Sequence, residues 1–304
     1  MRSSRRTVIA MALAAASFVV AAGASAQAPI KVVASFSILA DMVKNIGGEH
    51  VEVTTLVGPD GDAHVYQPTP ADARAVATAR VLVVNGFDFE GWMGRLVKAT
   101  NFKGVHVVAT RGVSSHSMIE IEEGKKRKVI DPHAWQDLQR GMTYVRNIAD
   151  GLASADPARA EQYKANAEAY LGKLRELDAW IVAELAAIPK ERRKVITSHD
   201  AFAYFGRRYG ITFRAPVGVS TESEASAKDV AALITQIRKE SIRAIFVENM
   251  SDPRLLQQLA SEAEAAVGGT LYADALSGPS GPASSYIDMF RHNVTQLVTA
   301  MRSN

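Results

Sequence analysis

The chain has 304 residues, 47% of them hydrophobic and 22% charged, a globular composition long enough for two ordinary domains and unlike that of a disordered protein. Its formal net charge of +3 equals the contribution of Arg2, Arg5 and Arg6, so the body of the chain is charge-balanced and offers no electrostatic case for nucleic acid. With no cysteine, it has neither disulfides nor a thiol to carry a lipid, and its core must hold by packing alone.

Residues 1–26 read as a secretory signal. Basic residues come first, the apolar stretch TVIAMALAAASFVVAAG follows, and Ala24 and Ala26 stand ahead of Gln27 as small residues for a signal peptidase. The Ala-rich run is marginal in length for a membrane anchor, so cleavage is expected. The SRRTVI segment echoes a twin-arginine signal, which leaves the export route open. No later segment is apolar enough to span a membrane, so the mature chain is expected free in the periplasm as a monomer.

Downstream, short β-type runs alternate with helical patterns. IKVVASF (30–36) precedes a helical SILADMVKNIGG, and VEVTTLV (51–57) leads into a polar loop. ARVLVVNG (79–86) and GVHVVAT (104–110) follow, with the helical FEGWMGRLVKAT between them. This rhythm predicts an α/β fold with a parallel sheet covered by helices. The segment 112–128 is polar and poorly periodic, and reads as a surface loop in which His116, Glu120, Glu122 and Glu123 could offer passing ligands to a cation.

A long helix is expected next. Asp156 suits an N-cap and Pro157 the first helical position, and Pro189 ends the pattern. Ala160, Tyr163, Ala167, Tyr170, Leu174, Leu177, Ile181, Leu185 and Ile188 form one apolar stripe. Such a helix would be roughly 48 Å long and could join two domains rigidly. The βα rhythm then resumes, with strands expected in RKVITSH (193–199), GITFRAPV (210–217), SIRAIFVEN (241–249) and GGTLYAD (268–274). Helices are expected at 200–209, 226–240, 252–267 and 284–302. The division is a leader (1–26), a first α/β lobe (27–153), a linking helix (154–190) and a second α/β lobe (191–304).

Four residues follow predicted strand ends: His64 after VEVTTLV, His133 after KVI, His199 closing KVITSH, and Asp274 closing TLYAD. Ligands of open parallel sheets bind outside the carboxyl ends of the strands, so a cleft between two such sheets would gather all four. Three imidazoles and a carboxylate make a tetrahedral site for a first-row divalent ion, and four protein ligands leave no position for an activated water. Asp62, Asp131 and Asp200 lie within two residues of these histidines, as turn, strand-ending and helix-capping residues or as partners of the imidazoles. Trp135 and Tyr66 could wall the cleft or fill the core, and His50, His106 and His292 are read as packing or surface residues.

The pieces VVASFSILADMVKNIGG, VGPDGDAHVYQPTPAD, DPHAWQD, TSHDAFAYF, FVEN and LYADALS…SYIDMFRHNV resemble the periplasmic solute-binding proteins of zinc or manganese ABC transporters, over about 30–300. The resemblance implies two lobes joined by one rigid helix, metal ligands at His64, His133, His199 and Asp274, and a membrane permease as partner. In that family, histidine at the position of His199 goes with zinc and glutamate with manganese or iron, which implies a zinc-type member here. Zinc members often carry a long histidine-rich loop ahead of the second ligand; here 112–128 holds one histidine, which leaves manganese as the alternative. Other classes would need other features. A zinc hydrolase needs an open coordination position and a base such as Glu222 or Asp200. An adhesin would use the metal structurally, and an organic-ligand carrier would need an apolar cleft.

Overall fold

The computed structural model describes residues 27–122, 125–222, 225–265 and 267–304. The leader expected over 1–26 lies outside them. Among the described residues, no helix is long and apolar enough to cross a membrane.

The first lobe opens with β1 (Ile30–Phe36), and α1 (Ser37–Gly47) follows without a gap. Then come β2 (Val51–Val57), α2 (Pro70–Thr78), β3 (Val81–Val84), α3 (Met93–Thr100) and β4 (Val105–Val108). The strands pair in parallel in the order β2-β1-β3-β4. Val32 through Phe36 and all of β3 are buried, as central strands covered on both faces must be. The order reverses between β1 and β3, which opens a crevice at their carboxyl ends.

The segment expected as a loop is an antiparallel hairpin, β5 (His116–Glu122) and β6 (Lys125–Asp131), registered from His116 opposite Asp131 to Glu122 opposite Lys125. The polarity that suggested a loop is that of a two-stranded ribbon apart from both main sheets, with Ile119 and Ile130 exposed. His133 therefore follows a hairpin strand, and not a strand of a parallel sheet as expected. Glu123 lies outside the described residues, as do the side chains of Glu120 and Glu122.

Helix α4 (Leu138–Ala155) leads to the long helix α5 (Ala160–Ala186) through a 3-10 turn at Pro157–Arg159. Asp156 stands at the N-cap position of that turn, with Pro157 in its first turn as expected, but its side chain makes no cap bond. Asp156 closes α4, and its carboxylate accepts from Tyr163 Oη at 2.9 Å and Arg159 Nη1 at 2.8 Å, pinning the joint through side chains. At 27 residues α5 is roughly 40 Å long, shorter than expected because Pro157–Arg159 is wound as a 3-10 turn. Its stripe from Tyr163 to Leu185 is buried as the periodicity required. It packs on α1 and α4 of the first lobe.

The second lobe carries β7 (Lys194–Ile196), α6 (Ala203–Tyr209), β8 (Thr212–Arg214), α7 (Ala227–Glu240) and β9 (Ile245–Glu248). It ends with α8 (Arg254–Glu262), β10 (Val267–Leu271) and α9 (Tyr286–Met301). Its sheet is parallel in the order β10-β9-β7-β8, with its own reversal between β7 and β9, and α6 and α9 lie against α5. Asp200 does not cap α6, which begins after Phe202 with no side-chain cap.

One apolar core runs from the first lobe across α5 into the second, through Trp135, Tyr204, Tyr286 and Phe290. A smaller cluster around Ile237, Leu256 and Leu259 holds α7 and α8 on the outer part of the second sheet. The lobes are thus packed together through a shared core.

Candidate metal centre

His64 stands in the irregular segment 58–69 between β2 and α2. Gly61 N–H donates to Gly58 O at 3.3 Å, and Asp60 takes a left-handed φ of 56°, so the chain turns sharply at once after β2. Asp62 Oδ1 accepts from His64 N–H at 2.9 Å, and Trp92 Nε1 donates to Ala63 O at 2.8 Å. The segment ends on a capping box between Thr69 and Asp72, with Pro70 in the first turn of α2. Asp62 is therefore a turn residue that holds the backbone of His64 and not its ring.

Asp131 closes β6, and its Oδ1 accepts from His133 N–H at 3.0 Å and Nδ1–H at 2.8 Å. The carboxylate thus ends the strand and orients the imidazole together. Asn85 Nδ2 donates to Pro132 O at 2.9 Å, and Tyr204 Oη donates to Asp131 O at 2.9 Å, so both lobes fix the segment ahead of His133.

His199 follows β7, and its Nδ1–H donates to Glu248 Oε2 at the end of β9. Glu248 Oε1 accepts from the N–H groups of Ser198 at 2.9 Å and His199 at 3.0 Å. Sequence reasoning missed Glu248 as a functional residue, although it too closes a predicted strand and the strand-end rule could have found it. Asp274 lies three residues past β10. The neighbouring Ala273 O accepts from Trp135 Nε1 at 2.9 Å and Gln136 Nε2 at 2.7 Å, so first-lobe donors set its place.

The four side chains meet. His133 Nε2 lies 3.3 Å from His64 Nε2 and 3.3 Å from His199 Nε2. Asp274 Oδ2 lies 3.3 Å from His64 Nε2 and 3.1 Å from His199 Nε2, and Oδ1 is 3.6 Å from His133 Nε2. A tetrahedron with centre-to-corner bonds of about 2.0–2.1 Å has edges of about 3.3–3.4 Å, close to these separations, and one potential ligand atom from each residue lies within 4.8 Å of the others. Because Asp131 and Glu248 take the Nδ1–H of His133 and His199, both rings aim Nε2 at the centre, where its lone pair becomes free once the Nε2 proton is displaced. The ring of His64 meets Phe89 edge-on with centroids 4.7 Å apart.

All four are buried, and apart from the three imidazoles neither oxygen of Asp274 has a polar partner. A buried carboxylate without donors is costly unless a cation compensates it. Burial lowers the His133 imidazole, but the Asp274 and Asp131 carboxylates outweigh it and raise the pKa to about 9. Burial also opposes protonation of His199, and Glu248 and Asp274 overcome it and carry the group well above its ordinary value. For His64 burial prevails and the imidazole titrates lower than usual. Burial would raise Asp274, yet the facing charges of His133 and His199 hold it well below the usual carboxylate range.

The remaining candidates lie elsewhere, and among the described residues no other group of three or more potential ligands converges. His50 meets Tyr163 edge-on, His106 is an exposed residue of β4, and His292 contacts Thr270 O at 2.9 Å. His116 lies over the Tyr204 ring with centroids 4.4 Å apart. Trp135 is core and also a wall, fully buried with its ring 5.2 Å from that of His133. Tyr66 turns away to Trp92, and its hydroxyl, pushed up to about 12 chiefly by burial, donates to Asp72 Oδ2 at 2.8 Å.

Residues 32–300 match the family model described as zinc-uptake complex component A, periplasmic. The chain is 35% identical to the manganese-binding lipoprotein MntA of Halalkalibacterium halodurans, over 90% of this chain and 88% of that protein. It is 33% identical to the iron-binding protein YfeA of Yersinia pestis, over 88% of this chain and 85% of that protein. Among solved structures, the periplasmic zinc-binding protein TroA of Treponema pallidum superposes with a TM-score of 0.84 at 29% identity, covering 90% of this chain and 99% of that one. The two parallel sheets, the long helix between them and a family match over nearly the whole length agree: the chain belongs to the zinc-uptake component A family of periplasmic metal-binding proteins, the solute-binding components of metal ABC importers.

Proposed function

We propose that this protein takes up one divalent metal ion, zinc before manganese, between its two lobes in the periplasm and hands it to the membrane permease of an ABC importer. The ligands are His64 and His133 from a first lobe over 27–153, and His199 and Asp274 from a second lobe over 191–304. One observation carries the reading: four buried donors face one another at 3.1–3.6 Å, and the one anion among them has no polar partner besides the three imidazoles. Three nitrogens and one oxygen at that spacing suit zinc. The site is closed by protein ligands, so it binds and does not hydrolyse. The ion is cargo and the chain is not an enzyme.

Manganese is the second reading, and one feature favours it. Asp274 turns Oδ2 toward His64 and His199 and Oδ1 toward His133, so its carboxylate can bind with both oxygens and raise the coordination number. Metal analysis of the purified mature protein, alone and as His199→Ala and His199→Glu, separates the two. The expected result is one zinc per chain, lost in His199→Ala and replaced by manganese in His199→Glu. Zinc retained at full stoichiometry in His199→Ala would remove the proposed ligand set.

A further inference from the structure

The two lobes are joined by ties of opposite kind. Some of the ties are buried: Trp135 and Gln136 donate to Ala273 O, Tyr286 Oη donates to Trp135 O, and Leu276 N–H donates to Ser37 Oγ at 2.9 Å. Others join half-exposed loops, and the two sets adjoin where Asp60 N–H donates to Leu276 O at 3.0 Å. Thr221 Oγ1 donates to Asp62 Oδ2 at 2.7 Å, and Asn249 Nδ2 donates to Asp60 Oδ1 at 2.8 Å.

The Thr221 contact differs from its neighbour in what its two ends hold. Asp62 Oδ1 fixes the backbone N–H of His64 at 2.9 Å while Oδ2 takes the threonine hydroxyl. The segment that carries Thr221 is itself registered on His199: Val217 forms a parallel bridge with His199, and Asp200 N–H donates to Gly218 O at 3.1 Å. One path of bonds therefore leads from the backbone of His64 through Asp62 and Thr221 to the backbone of His199. His64 is the ligand that most needs it. The rings of His133 and His199 are each held by a carboxylate, whereas His64 is placed by its backbone and by the edge contact with Phe89.

We propose that Thr221 is a positioning residue that, through Asp62, keeps His64 and His199 within bonding distance of one ion and so sets the rate at which the ion leaves. The proposal rests on the reading of the four residues as the cargo site. A membrane partner that displaced the segment 217–221 would loosen a ligand of each lobe in one movement, while the buried ties kept the lobes together.

The test compares Thr221→Val, which keeps the shape and deletes the hydroxyl, with Thr221→Ser, which keeps the hydroxyl. Each is loaded with zinc, and dissociation into excess chelator is followed by stopped-flow absorbance of the chelator. Loss of one hydrogen bond to a charged acceptor is expected to speed dissociation about tenfold in Thr221→Val. Thr221→Ser should match the wild type. Thermal unfolding of the metal-free proteins should be alike for all three, and Thr221→Ala supplies a second hydroxyl deletion. Equal rates for Thr221→Val and wild type overturn the proposal, and so does a Thr221→Ser as fast as Thr221→Val. If the wild type itself holds no zinc or manganese, the cargo reading fails and takes this one with it. If the wild type holds metal and the valine variant releases it no faster, only the role of Thr221 is lost.

Discussion

The two lobes repeat one architecture on unequal foundations. In the first, β1 and β2 run seven residues each and pair from Ile30–Val51 to Phe36–Val57. In the second, β7 and β8 have three residues each, β7 meets β9 at a single registered pair, Ile196 with Ile245, and the β9–β10 ladder shifts register between Val267 and Thr270. The first lobe shares the main apolar core with α5, while α7 and α8 rest on a smaller cluster of their own. The four proposed ligands are distributed the other way. The firm lobe presents His64 on an irregular segment and His133 beyond a hairpin, and the weaker lobe presents His199 and Asp274 within three residues of its strands. Each half of the centre thus combines one well-paired and one less-paired component.

The largest effect should come from breaking the two cores separately. Leu39 of α1 is fully buried in the main core and Ile237 of α7 is 1% exposed in the smaller one. Truncating either to alanine should cost about 2–5 kcal/mol. Leu39→Ala should lower the stability of the whole molecule. Ile237→Ala should open its own part first, with hydrogen exchange accelerated in α7, α8 and β10 while α1, α4 and α5 keep their protection. Exchange accelerated evenly in both lobes by Ile237→Ala would contradict the division into two cores.

The carboxylates behind the imidazoles come next. Asp131 and Glu248 do the same work in different lobes, each fixing one imidazole by Nδ1 and the same residue's backbone N–H by its oxygens. Asp131→Asn and Glu248→Gln keep the shape and remove the charge, and each should weaken metal binding about 10–100-fold. Glu248→Gln should be the more damaging, because Glu248 uses one oxygen for the backbone N–H groups and the other for the ring, so an amide must set an NH2 against one of them, whereas Asp131 makes both bonds with Oδ1, which an asparagine oxygen can replace. Competition against a fluorescent chelator measures both, and wild-type affinity in either variant would mean that the fixed tautomer contributes nothing.

What the sequence made legible divides along physical lines. β1 and β2 were readable to the residue, because β-branched runs bounded by turn residues carry their own limits. The convergence of His64, His133, His199 and Asp274 followed from one topological rule, although His133 reaches the centre from the hairpin. That hairpin was not legible, since a charged two-stranded ribbon outside the main sheets lacks the alternation that burial imposes. Helix α4 was legible and passed over: Leu138, Met142, Val145, Ile148 and Leu152 recur at steps of three and four, and Asp137 caps it through Gln139 N–H. The bond of Asp62 to Thr221 spans 159 residues, and no local pattern announces a partner so distant.

The smallest effect sharpens the contrast between His64 and the other two imidazoles. Metal binding requires neutral rings with a free Nε2 lone pair. His64 is lowered by burial and is neutral at pH 7, so it gives up no proton. His133 is lowered by burial but raised further by Asp274 and Asp131, to about 9, so the metal-free protein carries a proton there at pH 7 that the ion must displace. His199, raised well above its ordinary value, adds to the proton release. Apparent affinity should therefore climb with pH below about 9, by about tenfold per pH unit for each proton displaced. The His133 contribution should level off above that pH. Calorimetric titration with zinc in two buffers of different ionisation enthalpy counts these protons directly, and at least one is expected at pH 7. Asp131→Asn should reduce that number, because it removes one of the two carboxylates that hold the proton on His133. A proton count of zero at pH 7 would mean that the rings already stand neutral before the ion arrives, with burial outweighing the carboxylates in all three.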